Sequence, residues 1–320
     1  MPFSDLIGND KVKLCLQHML KKNEVPQTLL FIGQDGIGKS LFAKRLAALI
    51  MGEKHAEKIE KGIHPDYHCH APEGKNAQYS IATIRKIIEE SRLPSFEAPA
   101  KIFILQDAHD MPPVASNALL KTFEEPHPDT YFILLSSQPQ RLLPTILSRS
   151  CEIHFHPVAA SLTEDWLGKL GKSSDEARLL SLLADGSPGK ALQAGEIQAR
   201  KKEVLELLIE SDYRKILPIL QGMDKRLEGL LNEDPAEYWK AFDQMLGAVL
   251  YWYRDLYALK SGAGEKLFFQ DEKDLLEKVN ELPPFEKVVQ TIHEAKACAL
   301  RNMRFKTVFE KLLLDLGGVT

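Results

Sequence analysis

A glycine-rich loop directly after a predicted strand constrains this chain more than any other feature. The loop, Gly33 to Ser40, reads Gly-Gln-Asp-Gly-Ile-Gly-Lys-Ser. It follows the apolar run Thr28 to Ile32 and opens a helical pattern from Leu41 to Met51. This is the strand, loop and helix context that a phosphate-binding loop (P-loop) requires. The sequence therefore predicts a nucleotide-binding P-loop.

The residue types in the loop suit the phosphates of a nucleotide. Three glycines, Gly33, Gly36 and Gly38, allow backbone N–H groups to approach and cradle the phosphates. Lys39 would place its ammonium on the β and γ phosphates, and Ser40 would offer its hydroxyl to Mg²⁺. The expected cofactor is therefore ATP or ADP, with Mg²⁺.

Composition excludes several classes of protein. The chain has 320 residues, of which 44% are hydrophobic and 27% are charged, which suits two or three globular domains. No apolar run approaches the roughly 20 residues that cross a bilayer, and the first residues, Met1 to Asp5, do not have the basic-then-apolar character expected of a signal peptide. We therefore expect a cytoplasmic protein with no membrane partner. The net charge of −4 gives no overall attraction to nucleic acid.

The sequence pattern changes near Pro157. Before it, short apolar runs alternate with helical patterns, as in a parallel sheet with crossover helices. Beyond it, the patterns are helical, with a compact group to about residue 200 and more helices to the end. The predicted domains are an α/β P-loop domain at 1–157, followed by all-α domains at 158–200 and 201–320. The predicted strands are 28–32, 101–105, 131–135 and 151–155.

One late helix, from about Ala236 to Leu259, is apolar on more than one side. Trp239, Phe242 and Trp252 are among its large side chains. Such a helix is either an ordinary core helix or part of a subunit interface, and periodicity alone does not separate the two.

The strand that should supply the acidic groups for hydrolysis lacks them. A motor ATPase places two adjacent acids here, one beside Mg²⁺ and one to polarise the attacking water. In this chain the two possible registers give Gln106-Asp107 or Asp107-Ala108. We expect Gln106 and Asp107, which occupy this position, to contact the nucleotide. Because two adjacent acids are missing, we expect intrinsic hydrolysis to be slow or absent.

Six segments of the chain carry a family resemblance: Phe3 to Gly8, Gly33 to Ser40, His64 to Asp66, Asn117 to Pro126, Leu143 to Arg149 and Gly186 to Leu192. The most specific is Asn117 to Pro126, which reads Asn-Ala-Leu-Leu-Lys-Thr-Phe-Glu-Glu-Pro. Together these segments resemble the clamp-loader subunits of the AAA+ class, and most of all the delta-prime family of bacterial DNA polymerase III.

The resemblance implies that 158–200 is a helical lid and 201–320 a collar that joins subunits into a ring. The implied partners are gamma/tau and delta subunits, and through the complex the sliding clamp and primed DNA. Arg149 would act in trans as an arginine finger on a neighbour's γ-phosphate. Ser137 and Lys190 would complete the nucleotide-binding set. The implied role is that of a stator in clamp loading.

The chain departs from the family pattern at three places. Ser150 stands where the Ser-Arg-Cys motif has its cysteine. Motor subunits carry an arginine near the lid where this chain has Gly189, next to Lys190, and a lysine lacks the planar fork that grips two oxygens. Many relatives also carry a four-cysteine zinc knot. Here residues 52–78 contain only Cys69, with histidines around it, so zinc is not expected.

Two further interpretations stay open. The alternative function is a gamma/tau-type motor ATPase, which should have the adjacent acids that this chain lacks; a free-standing AAA+ helicase or remodeller fits less well. Direct DNA contact through Lys121, Arg85 and Lys86 competes with the plainer interpretation that these side chains form a solvated helix face.

Overall fold

A computed structural model describes residues 2–72, 78–210, 212–264, 267–279, 281–301 and 303–317. The chain forms two compact units, residues 1–190 and residues 191–320. The division into three domains at 157 and 200 stays a prediction.

The first unit is built on a parallel five-stranded sheet. Its strands are β1 (Thr28–Ile32), β2 (Tyr67–His70), β3 (Lys101–Leu105), β4 (Thr130–Ser136) and β5 (Cys151–His154). They lie side by side in the order β2-β3-β4-β1-β5, and every pairing is parallel. All four predicted strands are confirmed. The sequence missed β2, because a half-exposed edge strand that reads Tyr-His-Cys-His has no apolar run.

Helices cover both faces of this sheet. They are α1 (Asp10–Lys22), α2 (Lys39–Met51), α3 (Ala56–Glu60), α4 (Ile81–Ser91), α5 (Pro113–Glu124) and α6 (Pro144–Leu147). On one face Phe42 of α2 packs edge-on against Phe155, with ring centroids 5.1 Å apart. On the other face Phe123 of α5 packs against Phe132 of β4, also at 5.1 Å. The central strands β1 and β3 are buried along their whole length, which explains their continuous apolar sequences.

Two helices that pack against each other, α7 (Ala160–Lys169) and α8 (Ser174–Leu183), complete the first unit. The Ser173 hydroxyl caps α8 by accepting a hydrogen bond from the Glu176 N–H. The next helix, α9 (Pro188–Gln198), begins in the first unit and ends in the second.

The second unit is helical. Its helices are α10 (Lys201–Ile209), α11 (Tyr213–Glu233), α12 (Pro235–Lys260), α13 (Lys273–Leu276), α14 (Phe285–Ala299) and α15 (Phe305–Asp315). The long apolar helix is α12. Phe242 packs against Phe309 at 6.0 Å and Trp252 against Phe269 at 5.2 Å, while Trp239 is half-buried. The wide apolar stripe is therefore largely core. No helix among the residues described above is long and apolar enough to span a membrane.

Candidate nucleotide-binding site

The phosphate-binding loop joins the carboxyl end of β1 to the first turn of α2. Gly38 stands before α2 with φ +104°, and Gly36 has φ +74°, backbone conformations that side chains rarely tolerate. A Cβ at Gly36 would also lie 2.5 Å from the Ser187 hydroxyl. Glycine is therefore required at these two positions by the shape of the loop and by what packs against it.

A second turn, from far along the chain, donates hydrogen bonds to carbonyl groups of this loop. The Gly189 N–H donates to the Gly36 carbonyl at 2.8 Å, and the Ser187 hydroxyl donates to the Asp35 carbonyl at 2.7 Å. The Lys190 N–H in turn donates to Ser187 Oγ at 3.3 Å. The first two contacts use carbonyl oxygens of the loop, whereas phosphate binding uses its N–H groups.

Lys39 is buried, with 7% of its surface exposed, and its ammonium is held by the loop itself. Nζ donates to the carbonyls of Gly33 at 2.6 Å and Gln34 at 2.9 Å, and lies 3.8 Å from the Asp35 carboxylate. Burial lowers the pKa of Lys39, and the carboxylates of Asp35 and Asp107 oppose that shift. The ammonium is thus held against the carbonyls of the loop, and Lys39 lines the cavity that the loop borders.

The loop forms one wall of an open cavity of about 600 Å³. Six residues predicted from sequence line it: Gly36, Gly38, Lys39, Ser40, Gln106 and Asp107. Gly33, Ser137 and Lys190 are not among the lining residues. The Gly33 carbonyl accepts from Lys39, and the Lys190 side chain is exposed. The remaining lining residues are Asp35, Leu41, His109, Asp110, Leu135, Gln138 and Gly189.

Directly after β3 the chain has Gln106-Asp107, where a motor would have two adjacent acids. The Gln106 amide donates to the Cys69 thiol at 3.2 Å. Asp107 has left-handed backbone torsions, φ 44° and ψ 48°. Burial, aided by the neighbouring charges of Asp35 and Asp110, raises the pKa of Asp107, while His109 and Lys39 oppose the shift.

Sequence reasoning missed three polar residues of the cavity. His109 and Asp110 lie in a short 3₁₀ turn after β3, and Gln138 follows β4. The Ser136 hydroxyl is 3.2 Å from His109 Nδ1, and Arg141 pairs with Asp110 at 2.9 Å. One sequence feature could have pointed to these residues: they come just after predicted buried strands. The carboxyl ends of parallel strands share one edge of a sheet, so residues that follow them lie close together.

Arg149 lies in the turn between α6 and β5, outside its own chain's cavity lining. Its Nε donates to the Glu124 carboxylate at 2.7 Å, and its Nη1 donates to the Thr145 carbonyl at 3.1 Å. The residue is exposed. The guanidinium is thus held at the surface by the end of α5.

The basic residues considered for DNA contact lie on two neighbouring helices. Arg85 and Lys86 are exposed on α4, Lys121 is exposed on α5, and the two helices pack together. Lys86 lies 3.8 Å from the Glu90 carboxylate. Direct DNA contact by these side chains stays a prediction.

The residues between α2 and β2 do not fit a four-cysteine zinc knot. Such a site needs four thiolates, and the sequence from Gly52 to Gln78 contains one cysteine, Cys69. This segment therefore cannot form a four-cysteine zinc site.

The parallel sheet, its helices and the loop after β1 define a P-loop nucleotide-binding protein of the AAA+ class. A family model for "DNA polymerase III, delta subunit" matches residues 8–159. The DNA polymerase III subunit delta' of Bacillus subtilis is 30% identical over 278 residues, which cover 82% of this chain and 80% of the relative. The chain belongs to the DNA polymerase III delta-prime family.

Two further relatives extend the comparison. The Escherichia coli subunit delta' is 35% identical over 187 residues, 55% of each chain. The Escherichia coli DNA polymerase III subunit tau is 25% identical over 282 residues, which cover 77% of this chain and 42% of the relative.

Proposed function

We propose that this chain is a stator subunit of the DNA polymerase III clamp loader, which lends Arg149 to the nucleotide site of a neighbouring subunit. Its partners would be gamma/tau and delta subunits in a ring that loads the sliding clamp onto primed DNA. The observation that carries the proposal is the position of Arg149, which is exposed and lies outside its own cavity lining.

A finger in this position would act on charge. As a γ-phosphoryl group is transferred, negative charge spreads over its oxygens, and a guanidinium supplied from a neighbouring chain can raise the rate by about 10³- to 10⁵-fold. To do so, Arg149 would exchange its contact with Glu124 for the phosphate. Because that contact is partly exposed, the exchange would cost little.

The cavity of this chain supports nucleotide binding better than hydrolysis. The loop N–H groups and Lys39 would hold the phosphates, and Ser40 would supply a hydroxyl to Mg²⁺, which neutralises phosphate charge when bound. Gln106, where a motor would carry an acid, is neutral and hydrogen-bonded to Cys69. Asp107 has no acid next to it in the chain, so the adjacent pair of acids that a motor uses is missing.

The test is the DNA- and clamp-stimulated ATPase of a reconstituted loader containing this chain. We expect Arg149→Ala to lower turnover by about 10³-fold or more, while Lys39→Ala leaves turnover nearly intact. Arg178→Ala, which removes an exposed arginine of α8, serves as the matched control and should have no effect.

The same assay addresses the gamma/tau-type motor as the alternative. The complete loop with Lys39 and Ser40 favours that alternative. If Lys39→Ala abolishes turnover and Arg149→Ala does not, this chain hydrolyses ATP itself and the stator proposal is wrong.

A further inference from the structure

Two histidines and one glutamate form a cluster outside the nucleotide cavity. His68 and His70 are two residues apart in β2, so their rings project from one face of the sheet; the rings are parallel to within 3°, with centroids 6.4 Å apart. Glu90 reaches this face from α4, and one ligand atom of each residue lies within 4.8 Å of the others. Cys69 lies between the histidines in the strand and instead accepts a hydrogen bond from Gln106.

The spacing between His68 and Glu90 is long for a direct hydrogen bond and leaves room for a shared cation. His68 Nδ1 lies 3.5 Å from Glu90 Oε2, whereas an N–H···O bond usually spans about 2.7–3.2 Å. Two ligand atoms that each lie about 2.0–2.1 Å from a tetrahedral ion are about 3.4 Å apart. The 3.5 Å separation of His68 Nδ1 and Glu90 Oε2 is close to that value.

We propose that His68, His70 and Glu90 bind a divalent transition-metal ion such as Zn²⁺. Imidazole nitrogen and carboxylate oxygen are ligands of these ions, and three protein ligands leave one position for water or a further ligand. The Lys86 ammonium lies 3.8 Å from Glu90 Oε1, and the Lys101 ammonium donates to the Glu90 carbonyl at 3.1 Å. These two positive charges oppose a cation, so we expect micromolar affinity and not that of a structural zinc site.

This site differs from the sequence-based expectation that zinc is absent. That expectation rested on the single cysteine, Cys69, among residues 52–78. In the structure the strand directs alternate side chains to opposite faces. The third ligand, Glu90, comes from a helix packed nearby.

A second cluster, His55, His64 and Glu97, has a different chemistry. His64 Nδ1 accepts a hydrogen bond from the Asp66 N–H at 3.0 Å, so in the neutral ring the proton is on Nε2. Nε2 lies 2.9 Å from His55 Nδ1, to which it donates. A metal on Nε2 would require a proton on Nδ1, where it would oppose the Asp66 N–H. This pair is therefore a hydrogen-bonded unit of the fold and supplies a matched control.

The test is titration of the full-length chain, without a histidine tag, with Co²⁺ followed by Zn²⁺ competition. We expect one Co²⁺ per chain, with visible absorption bands of a four- or five-coordinate ion. His68→Gln, His70→Gln and Glu90→Gln should each weaken binding by about tenfold or more, and His55→Gln should leave it unchanged. Absence of binding, or loss of binding in His55→Gln alone, would overturn the proposal.

A measurement on the unaltered chain guards against variants that fail to fold. In an NMR titration with Zn²⁺, the ring signals of His68 and His70 should shift and those of His55 and His64 should not. Shifts confined to His55 and His64 would equally overturn the proposal.

Discussion

Arg149 Nε donates a 2.7 Å hydrogen bond to the carboxylate of Glu124, the last residue of α5. The guanidinium is further held by the Thr145 carbonyl. The proposed finger is therefore tied to a residue of its own chain. Any contact with a neighbour's phosphate must compete with this ion pair.

Replacement of Glu124 by glutamine should make the finger easier to present. An ion pair of this exposure is worth about 0.2–1 kcal/mol, so we expect the stimulated ATPase of the loader to rise about 1.5- to 5-fold in Glu124→Gln. The gain should shrink at high salt. Glu125→Gln, which alters the adjacent exposed residue, is the control. A fall in turnover toward that of Arg149→Ala would mean that Glu124 positions the finger for catalysis.

Asp35 should weaken nucleotide binding. Its carboxylate lies 3.8 Å from Lys39 Nζ at the cavity wall, where it competes with phosphate for the lysine and repels it. We expect Asp35→Asn to tighten ADP binding about two- to fivefold, as measured with a fluorescent analogue. Asp185→Asn removes an equal charge from outside the cavity lining and should have little effect. Weaker binding by Asp35→Asn would contradict this role.

The buried Asp66 should anchor the segment that precedes β3. Its carboxylate accepts hydrogen bonds from the N–H groups of Phe96, Glu97 and Ala98 at 2.6, 2.7 and 2.9 Å. Burial alone would raise the pKa of Asp66, but these hydrogen bonds hold the pKa below its usual range. Because Asn offers one acceptor and adds a donor, Asp66→Asn should lower the free energy of unfolding by about 1–3 kcal/mol.

The pH dependence of this effect follows from the lowered pKa. The stabilisation by the Asp66 carboxylate is fully present above the unfolded pKa of about 4 and is lost as the pH falls through the lower folded pKa. Urea unfolding measures the free energy of unfolding of the unaltered protein and of Asp66→Asn. The difference between these two free energies should be constant from neutral pH to about pH 5 and shrink below about pH 4. An equal difference at all pH values would exclude this role for the carboxylate.

Asp255 should affect the pH dependence of stability in the opposite sense to Asp66, because its charged form should destabilise the fold. It is fully buried in α12, its Oδ2 accepts from the Phe269 N–H at 2.7 Å, and burial raises its pKa to about 6. Since the folded pKa lies above the unfolded one, the charged group destabilises the fold above pH 6, and this cost disappears as the pH falls toward 4. Asp255→Asn keeps the acceptor and lacks the charge.

We therefore compare the free energy of unfolding of Asp255→Asn with that of the unaltered protein. This difference, variant minus unaltered protein, should be higher at alkaline pH than at acid pH by about 1–3 kcal/mol. Denaturant unfolding on either side of the folded pKa provides the measurement. A difference that does not change with pH would show that Asp255 does not titrate as its burial requires.

The parts of the fold that follow from contiguous residues were predictable. Buried parallel strands appear as continuous apolar runs, so β1, β3, β4 and β5 were found from sequence. β2 was missed because it lies at the edge and carries polar residues. The lining by Gly36, Gly38, Lys39 and Ser40 was equally foreseeable, since these residues belong to one motif.

The rest of the cavity required the tertiary structure. His109, Asp110 and Gln138 belong to turns after two different strands and meet only because the sheet places those strand ends together. Gly189 reaches the loop by packing against Gly36 from far along the chain. No local pattern in the sequence encodes these approaches.

By itself, the sequence determined that the chain carries a phosphate-binding loop and lacks the paired acids of a motor, because both are properties of consecutive residues. The tertiary structure alone decided that Arg149 is tied to Glu124 and lies outside its own cavity lining. It also decided that His68 and Glu90 approach each other. The physical reason is that side chains distant in sequence meet only through strand order and helix packing, which bury apolar surface over the whole unit.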